Sequence, residues 1–225
     1  MTQSVASDGP LRNGPSSHVP SADLVVGDDG LVRCPWGNST SDYQAYHDQE
    51  WGREVHGETA LFERLTLEAF QSGLSWLTIL RKRDSFRTAF AGFEADAVAG
   101  FGASDVERLL GDAGIVRNRA KVAAAITNAQ AVVRLRAELD GGLDALVWSH
   151  RPPRPRPAPQ RLADVAAVTG ESTALAKSLK RHGFVFVGPT TAHAAMQACG
   201  LVDDHLAGCH ARVTSDGGTS DGGNK

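Results

Sequence analysis

The feature that most constrains this chain is a pair of metal-ligand half-sites at opposite ends of its folded part, Cys34 with His47 and His205 with Cys209. Either pair alone is a weak signal. Three cysteines and eight histidines in 225 residues produce close pairs by chance, and buried thiols with surface imidazoles are the plain alternative. Together the four complete a Cys2His2 set of the kind that holds zinc in a closed tetrahedral site. The four-residue spacing of His205 and Cys209 predicts both on one face of a helix, one turn apart. Such a site would clasp the start of the fold to its end. Cys199 lies in the apolar run from Ala194 and reads as a core residue, and the odd cysteine count argues against a disulfide scaffold.

Around that clasp, 41% hydrophobic residues suffice for one sizeable core. Residues 1–30, rich in Ser, Gly, Pro and Asp, read as a disordered leader, residues 31–210 as the folded domain, and residues 211–225 as a second disordered tail. The two tails carry the chain's net charge of −3, and 20 basic residues face 20 acidic ones between them. Affinity for nucleic acid must then come from local clusters such as Arg81-Lys82-Arg83, Arg117-Arg119-Lys121 or Arg151 to Arg161, each of which alone is equally a solvated face. No apolar run is long enough to span a membrane and no basic, apolar leader opens the chain, so a soluble cytoplasmic protein is expected.

Ala, Leu, Arg and Glu dominate, and the pattern is all-α. Helices are predicted over 59–72, over 105–112 with Ser104 and Glu107 in capping-box spacing, and from Asn118 with Val122, Ile126, Ala129 and Val133 as the buried stripe. Two more are predicted over 173–182 and 190–199, ended by Gly183 and Gly200. The Pro/Arg stretch from Arg151 to Pro159 should be an extended loop.

Glu68 lies one turn beyond Leu65 and two beyond Leu61, so it faces inward unless the helix is tilted enough to bring it to a rim. A buried carboxylate without a partner costs several kcal/mol, which implies nearby donors or a ligand that supplies them. Although aromatic residues make up only 6% of the chain, Trp36, Tyr43, Tyr46, Trp51 and Trp76 crowd the segment that holds Cys34, His47 and Glu68. They fit no single helical stripe. They are either a small aromatic core beside the metal or the walls of a flat pocket, where stacking on a nucleobase contributes about 1–3 kcal/mol per ring. Between the second and third helices, the turn around Gly114 with Arg117, Arg119 and Lys121 is either a plain helical hairpin or a helix-hairpin-helix element. The latter would seat a phosphate on free backbone N–H groups.

Taken together, these segments resemble the bacterial type I 3-methyladenine DNA glycosylases, a zinc-containing branch of the helix-hairpin-helix DNA glycosylases. The resemblance rests on Arg33-Cys34-Pro35-Trp36, on Tyr43 through Gly52, on Leu67 through Trp76, on the hairpin, on Gly183 through Gly188 and on Met196 through His205. It implies a helix-hairpin-helix glycosylase fold whose structural Zn2+ is bound by Cys34, His47, His205 and Cys209. It implies a base pocket in which Glu68, Tyr43 and Tyr46 contact a flipped base, Trp76 stacks on it, and Trp36 and Trp51 wall it. Gly114, Arg117, Arg119 and Lys121 are then expected at the DNA backbone, with Glu68 as the catalytic candidate. The implied reaction is hydrolysis of the N-glycosidic bond of 3-methyladenine in double-stranded alkylated DNA, by a monomer, leaving an abasic site. The resemblance also implies that the usual catalytic Asp of helix-hairpin-helix enzymes is missing, and no Asp occurs between Asp112 and Asp140. A DNA binder that cuts nothing is the competing class, whereas a zinc hydrolase is disfavoured because four protein ligands leave no position for water.

Overall fold

The computed structural model describes residues 21–213, and the outer parts of both expected tails lie outside them. Ten α-helices, three short 3-10 turns and one minimal hairpin are the regular elements of the described residues. The hairpin pairs β1 (Val25–Val26) with β2 (Val32–Arg33), Val25 opposite Arg33. After a 3-10 turn at Pro35–Asn38 come α1 (Ser41–Gln49), α2 (Glu58–Gln71), α3 (Trp76–Leu80), α4 (Arg83–Ala89) and α5 (Ala95–Ala99). Then follow α6 (Ala103–Gly111), α7 (Arg119–Glu138), α8 (Gly142–Trp148), α9 (Gly170–Arg181) and α10 (Pro189–Ala198). No described helix is long and apolar enough to cross a membrane.

The long helices follow their apolar stripes. Leu61, Phe62, Leu65 and Phe70 of α2 are buried, and so are Val122, Ile126 and Ala129 of α7; beyond them the stripe runs through Val132 and Leu135 rather than Val133. Phe70 packs edge-on against Phe86 at 4.8 Å between ring centres, and Phe90 stacks on Phe93 at 5.7 Å, so α4 and the turn after it are fixed to α2. Helix α7 starts where the sequence predicts, and Asn118 caps it by accepting from the Lys121 N–H. Helix α6 starts earlier than predicted. Its cap is not made by Ser104 and Glu107: Asp105 accepts from the Gly102 N–H, and Glu107 pairs with Arg119 instead.

Two further expectations are corrected. Residues 21–30, read as part of the leader, are folded: Ser21 N–H donates to the Ala207 carbonyl at 2.7 Å, Asp23 accepts from Leu162 N–H, and Asp29 pairs with the buried Arg33. Those tertiary bonds hold a segment whose composition alone could not order it. Nor do His205 and Cys209 share a helix. Asp203 takes the His205 N–H at 3.1 Å, offering that backbone a local alternative to helix, and Gly208 turns the chain with φ 89°. At the end of α10, Gly200 (φ 73°) lies so close to the Arg53 backbone that a β-carbon there would overlap it, and Val55 N–H donates to the Cys199 carbonyl. Helix α10 is thereby held against the segment that follows α1. Residues 151–159 form neither helix nor strand, as the predicted loop requires, and are anchored by Ala207 N–H on the Pro159 carbonyl and by Arg156 on Glu171.

Candidate active site and metal centre

Helices α1, α2, α3 and α10 line a pocket, open to solvent, of about 180 Å³. Trp36, Tyr43, Tyr46, Trp51, Glu68 and Trp76, dispersed over the first third of the chain, all line it. Trp36 is the hinge of the aromatic wall, edge-on to Tyr43 at 5.6 Å and to Trp51 at 5.1 Å, while Tyr46 meets Trp76 at 5.3 Å. The Tyr43 hydroxyl accepts from the Leu77 N–H at 3.0 Å, which fixes α3, and with it Trp76, relative to α1. Gln71, Ala194 and Gln197 also line the cavity and were not anticipated. Gln71 follows Glu68 by three residues and Gln197 follows Ala194 by three, so helical spacing was the available signal. Uncharged amides and a methyl group did not attract attention to it.

Glu68 points inward, 6% exposed, and burial pushes its carboxyl up to about 8. The charge of Arg64, one turn back on α2, opposes this only in part, and no hydrogen bond contributes. Arg64 is held away by Glu50, which it meets at 2.9 Å and which also takes a bidentate bond from Arg83. An aromatic slot with one desolvated acid at its wall is built for a flat ligand that brings its own donors or positive charge.

Beside the cavity, the ligand atoms of Cys34, His47 and Cys209 gather within 4.8 Å of one another. His205, the fourth predicted ligand, lies next to this group but outside it, its ring 4.8 Å from that of His47 and edge-on to Trp51 at 4.6 Å. Each imidazole is oriented by a carboxylate on its Nδ1, His47 by Asp48 at 2.8 Å and His205 by Asp203 at 2.7 Å. His47 Nε2 faces Cys209 Sγ at 3.4 Å, and His205 Nε2 is buried with no hydrogen-bond partner among the described residues. Two thiols, two imidazoles aimed by carboxylates and an orphaned buried nitrogen fit a tetrahedral metal. The neighbouring thiol is the main influence on each cysteine, pushing Cys34 up and Cys209 down. An outer layer braces the set, with Arg33, 1% exposed, bridging Asp48 and Asp29 and His210 also meeting Asp48.

The hairpin between α6 and α7 departs from expectation. Lys121 is buried, and its Nζ donates to the Phe70 carbonyl at 2.8 Å and the Ser72 carbonyl at 2.6 Å, where α2 ends. Its ammonium satisfies helix-end carbonyls and does not face solvent as a backbone contact would require. Gly114 N–H is taken by Asp112 at 2.7 Å, and a β-carbon at Gly114 would meet Asp112 and Ser85 at 2.9–3.0 Å, so packing explains this glycine. Arg117 and Arg119 are exposed, Arg119 paired with Glu107. Replacing Lys121 by Met is expected to leave the buried Phe70 carbonyl without its donor and to cost about 1–3 kcal/mol in urea unfolding, whereas an unchanged midpoint would count against this capping role.

Comparison with known proteins agrees with this architecture. The sequence profile of the methyladenine glycosylase family matches residues 36–212. The DNA-3-methyladenine glycosylase 1 of Escherichia coli (strain K12) is 43% identical over 180 residues, 80% of this chain and 96% of that protein. A crystal structure of a 3-methyladenine DNA glycosylase I is similar with a TM-score of 0.77 at 41% identity, covering 80% of this chain and 100% of that one. A structure addressing 3-methyladenine recognition by the Staphylococcus aureus 3-methyladenine DNA glycosylase I gives 0.76 at 35% identity, over 81% of this chain and 97% of that one.

Proposed function

Because the chain belongs to the methyladenine glycosylase family, we propose that its aromatic cavity receives a base flipped from alkylated DNA, and that the protein excises 3-methyladenine by hydrolysing its N-glycosidic bond. The observation that carries the assignment of the cavity is Glu68, a buried acid with no donor in a slot of aromatic rings. Methylation puts positive charge on the purine ring of the nucleotide. On entering, that ring supplies Glu68 with an opposite charge and with exocyclic N–H donors, so the carboxylate ionises against it. Undamaged adenine supplies the donors without the charge and is bound less well.

Since alkylation has already weakened the glycosidic bond, selective holding of the extrahelical nucleotide accounts for much of the acceleration. Tyr46 and Trp76 provide the flat faces of the slot, Trp36 and Trp51 its outer wall, and Tyr43 ties the two sides together. Arg117 and Arg119 at the hairpin are the contacts to the phosphates of the duplex, with Lys121 and the Gly114 amide removed from that set. Cys34, His47, His205 and Cys209 hold a structural Zn2+, which supplies cross-linking and no chemistry at the base. The protein acts as a monomer in the cytoplasm.

Incubation with methylated double-stranded DNA, followed by chromatographic identification of the released bases, tests this reading. Free 3-methyladenine is the expected product. Tight binding of methylated DNA with no base released would replace the enzyme by a binder.

A further inference from the structure

The cavity has a second acceptor besides Glu68. Gln197 on α10 lines it, and the side-chain Nε2 of Gln197 donates to Asp204 Oδ2 at 2.8 Å. A carboxylate only accepts hydrogen bonds, so Asp204 fixes which end of the amide faces it and leaves Oε1 for the cavity. Among the described residues no donor meets that oxygen. Asp204 cannot easily turn away, being 8% exposed with the buried His193 Nε2 at 3.3 Å from the same oxygen. The backbone of Gln197 is fixed as well, since its carbonyl accepts from Gly52 N–H at 3.0 Å beside Trp51.

We propose that Gln197 is a specificity-determining residue for the excised base and that Asp204 is the positioning residue that aims its carbonyl oxygen into the slot. The inference rests on the assignment of this cavity to the flipped base. A purine with an exocyclic amine at C6 offers two N–H groups, one for Glu68 and one for Gln197 Oε1. Guanine carries a carbonyl oxygen at that position; the protonated Glu68 carboxyl could still donate to it, but Gln197 Oε1 would face it as an acceptor with no hydrogen between the two oxygens. The Gln197 acceptor therefore selects methylated adenine over methylated guanine, which shape and positive charge alone would not distinguish.

Gln197→Met keeps the length of the side chain and removes the acceptor. Binding of free 3-methyladenine, read from quenching of tryptophan fluorescence, is expected to weaken about tenfold. On methylated DNA, the ratio of 3-methyladenine to 3-methylguanine release should fall by a similar factor, with the melting temperature unchanged. Asp204→Asn, which lets the Gln197 amide turn either way, should lower the same ratio by about threefold at unchanged zinc content. A parent protein that releases 3-methyladenine alongside variants with the parental ratio and affinity would overturn the role of Gln197. A parent that releases no base would overturn the function itself. Variants that melt early are replaced by Gln197→Leu, for which the same ratio decides.

Discussion

The Glu68→Gln protein is expected to melt above its parent at pH 9 and to release 3-methyladenine at least about a hundredfold more slowly. Both effects come from one desolvated carboxyl. Its ionisation is raised from 4.5 to about 8 in the folded protein, so the stability it lends is fully present below 4.5 and is lost as pH rises through 8. A shift of that size corresponds to roughly 5 kcal/mol at full ionisation, an upper bound because a strained pocket relaxes. Glutamine keeps the volume and has no proton to lose. The stability gain of the variant should therefore vanish near pH 4 and reach a few kcal/mol at pH 9, measured by urea unfolding at both values. In catalysis the sign reverses, because a neutral amide cannot answer the charge on an alkylated purine. Full activity, or equal stability of variant and parent at pH 9, would remove Glu68 from the role given to it.

Loss of the metal should have the larger effect on the fold. Protein purified without chelator is expected to contain about one equivalent of zinc, and Cys34→Ser should lose it together with several kcal/mol of stability, by analogy with small domains whose zinc binding is coupled to folding. What would come loose is specific: the hairpin β1–β2, α1 and the segment from Asp203 to Arg212 meet chiefly around Cys34, His47, His205 and Cys209. Since α1 carries Tyr43 and Tyr46, base release should fall in parallel with zinc content. A zinc-free Cys34→Ser protein that melts like the parent and releases base at the parental rate would sink the structural assignment.

The stripes of α2, α7, α9 and α10 were legible because each packs one face on the common core, where a 3.6-residue period is the direct imprint of burial. Helix α1 was not, since Tyr43, Tyr46 and His47 point from it toward the cavity and the metal set rather than into an apolar layer. The short α3, α4, α5 and α8 have one or two turns, too few for a period to emerge. Chemically conspicuous residues were found by their identity: Glu68, the aromatic cluster and the four metal-ligand candidates. Gln197 escaped because its importance lies in what fixes its amide, a contact made with Asp204 across a turn. Lys121 was misread for the opposite reason. A run of basic residues in sequence records charge but not direction, and this lysine turns back under α2.

That inward lysine also makes the molecule a calliper. By joining the first turn of α7 to the last turn of α2, it ties the hairpin that carries Arg117 and Arg119 to the helix that carries Glu68. On the function proposed above, one jaw would rest on the strand and the other on the damaged base. A nucleotide still stacked in the duplex would then be expected to fall short of Glu68, so the spacing of the jaws would favour a base that has already left the helix.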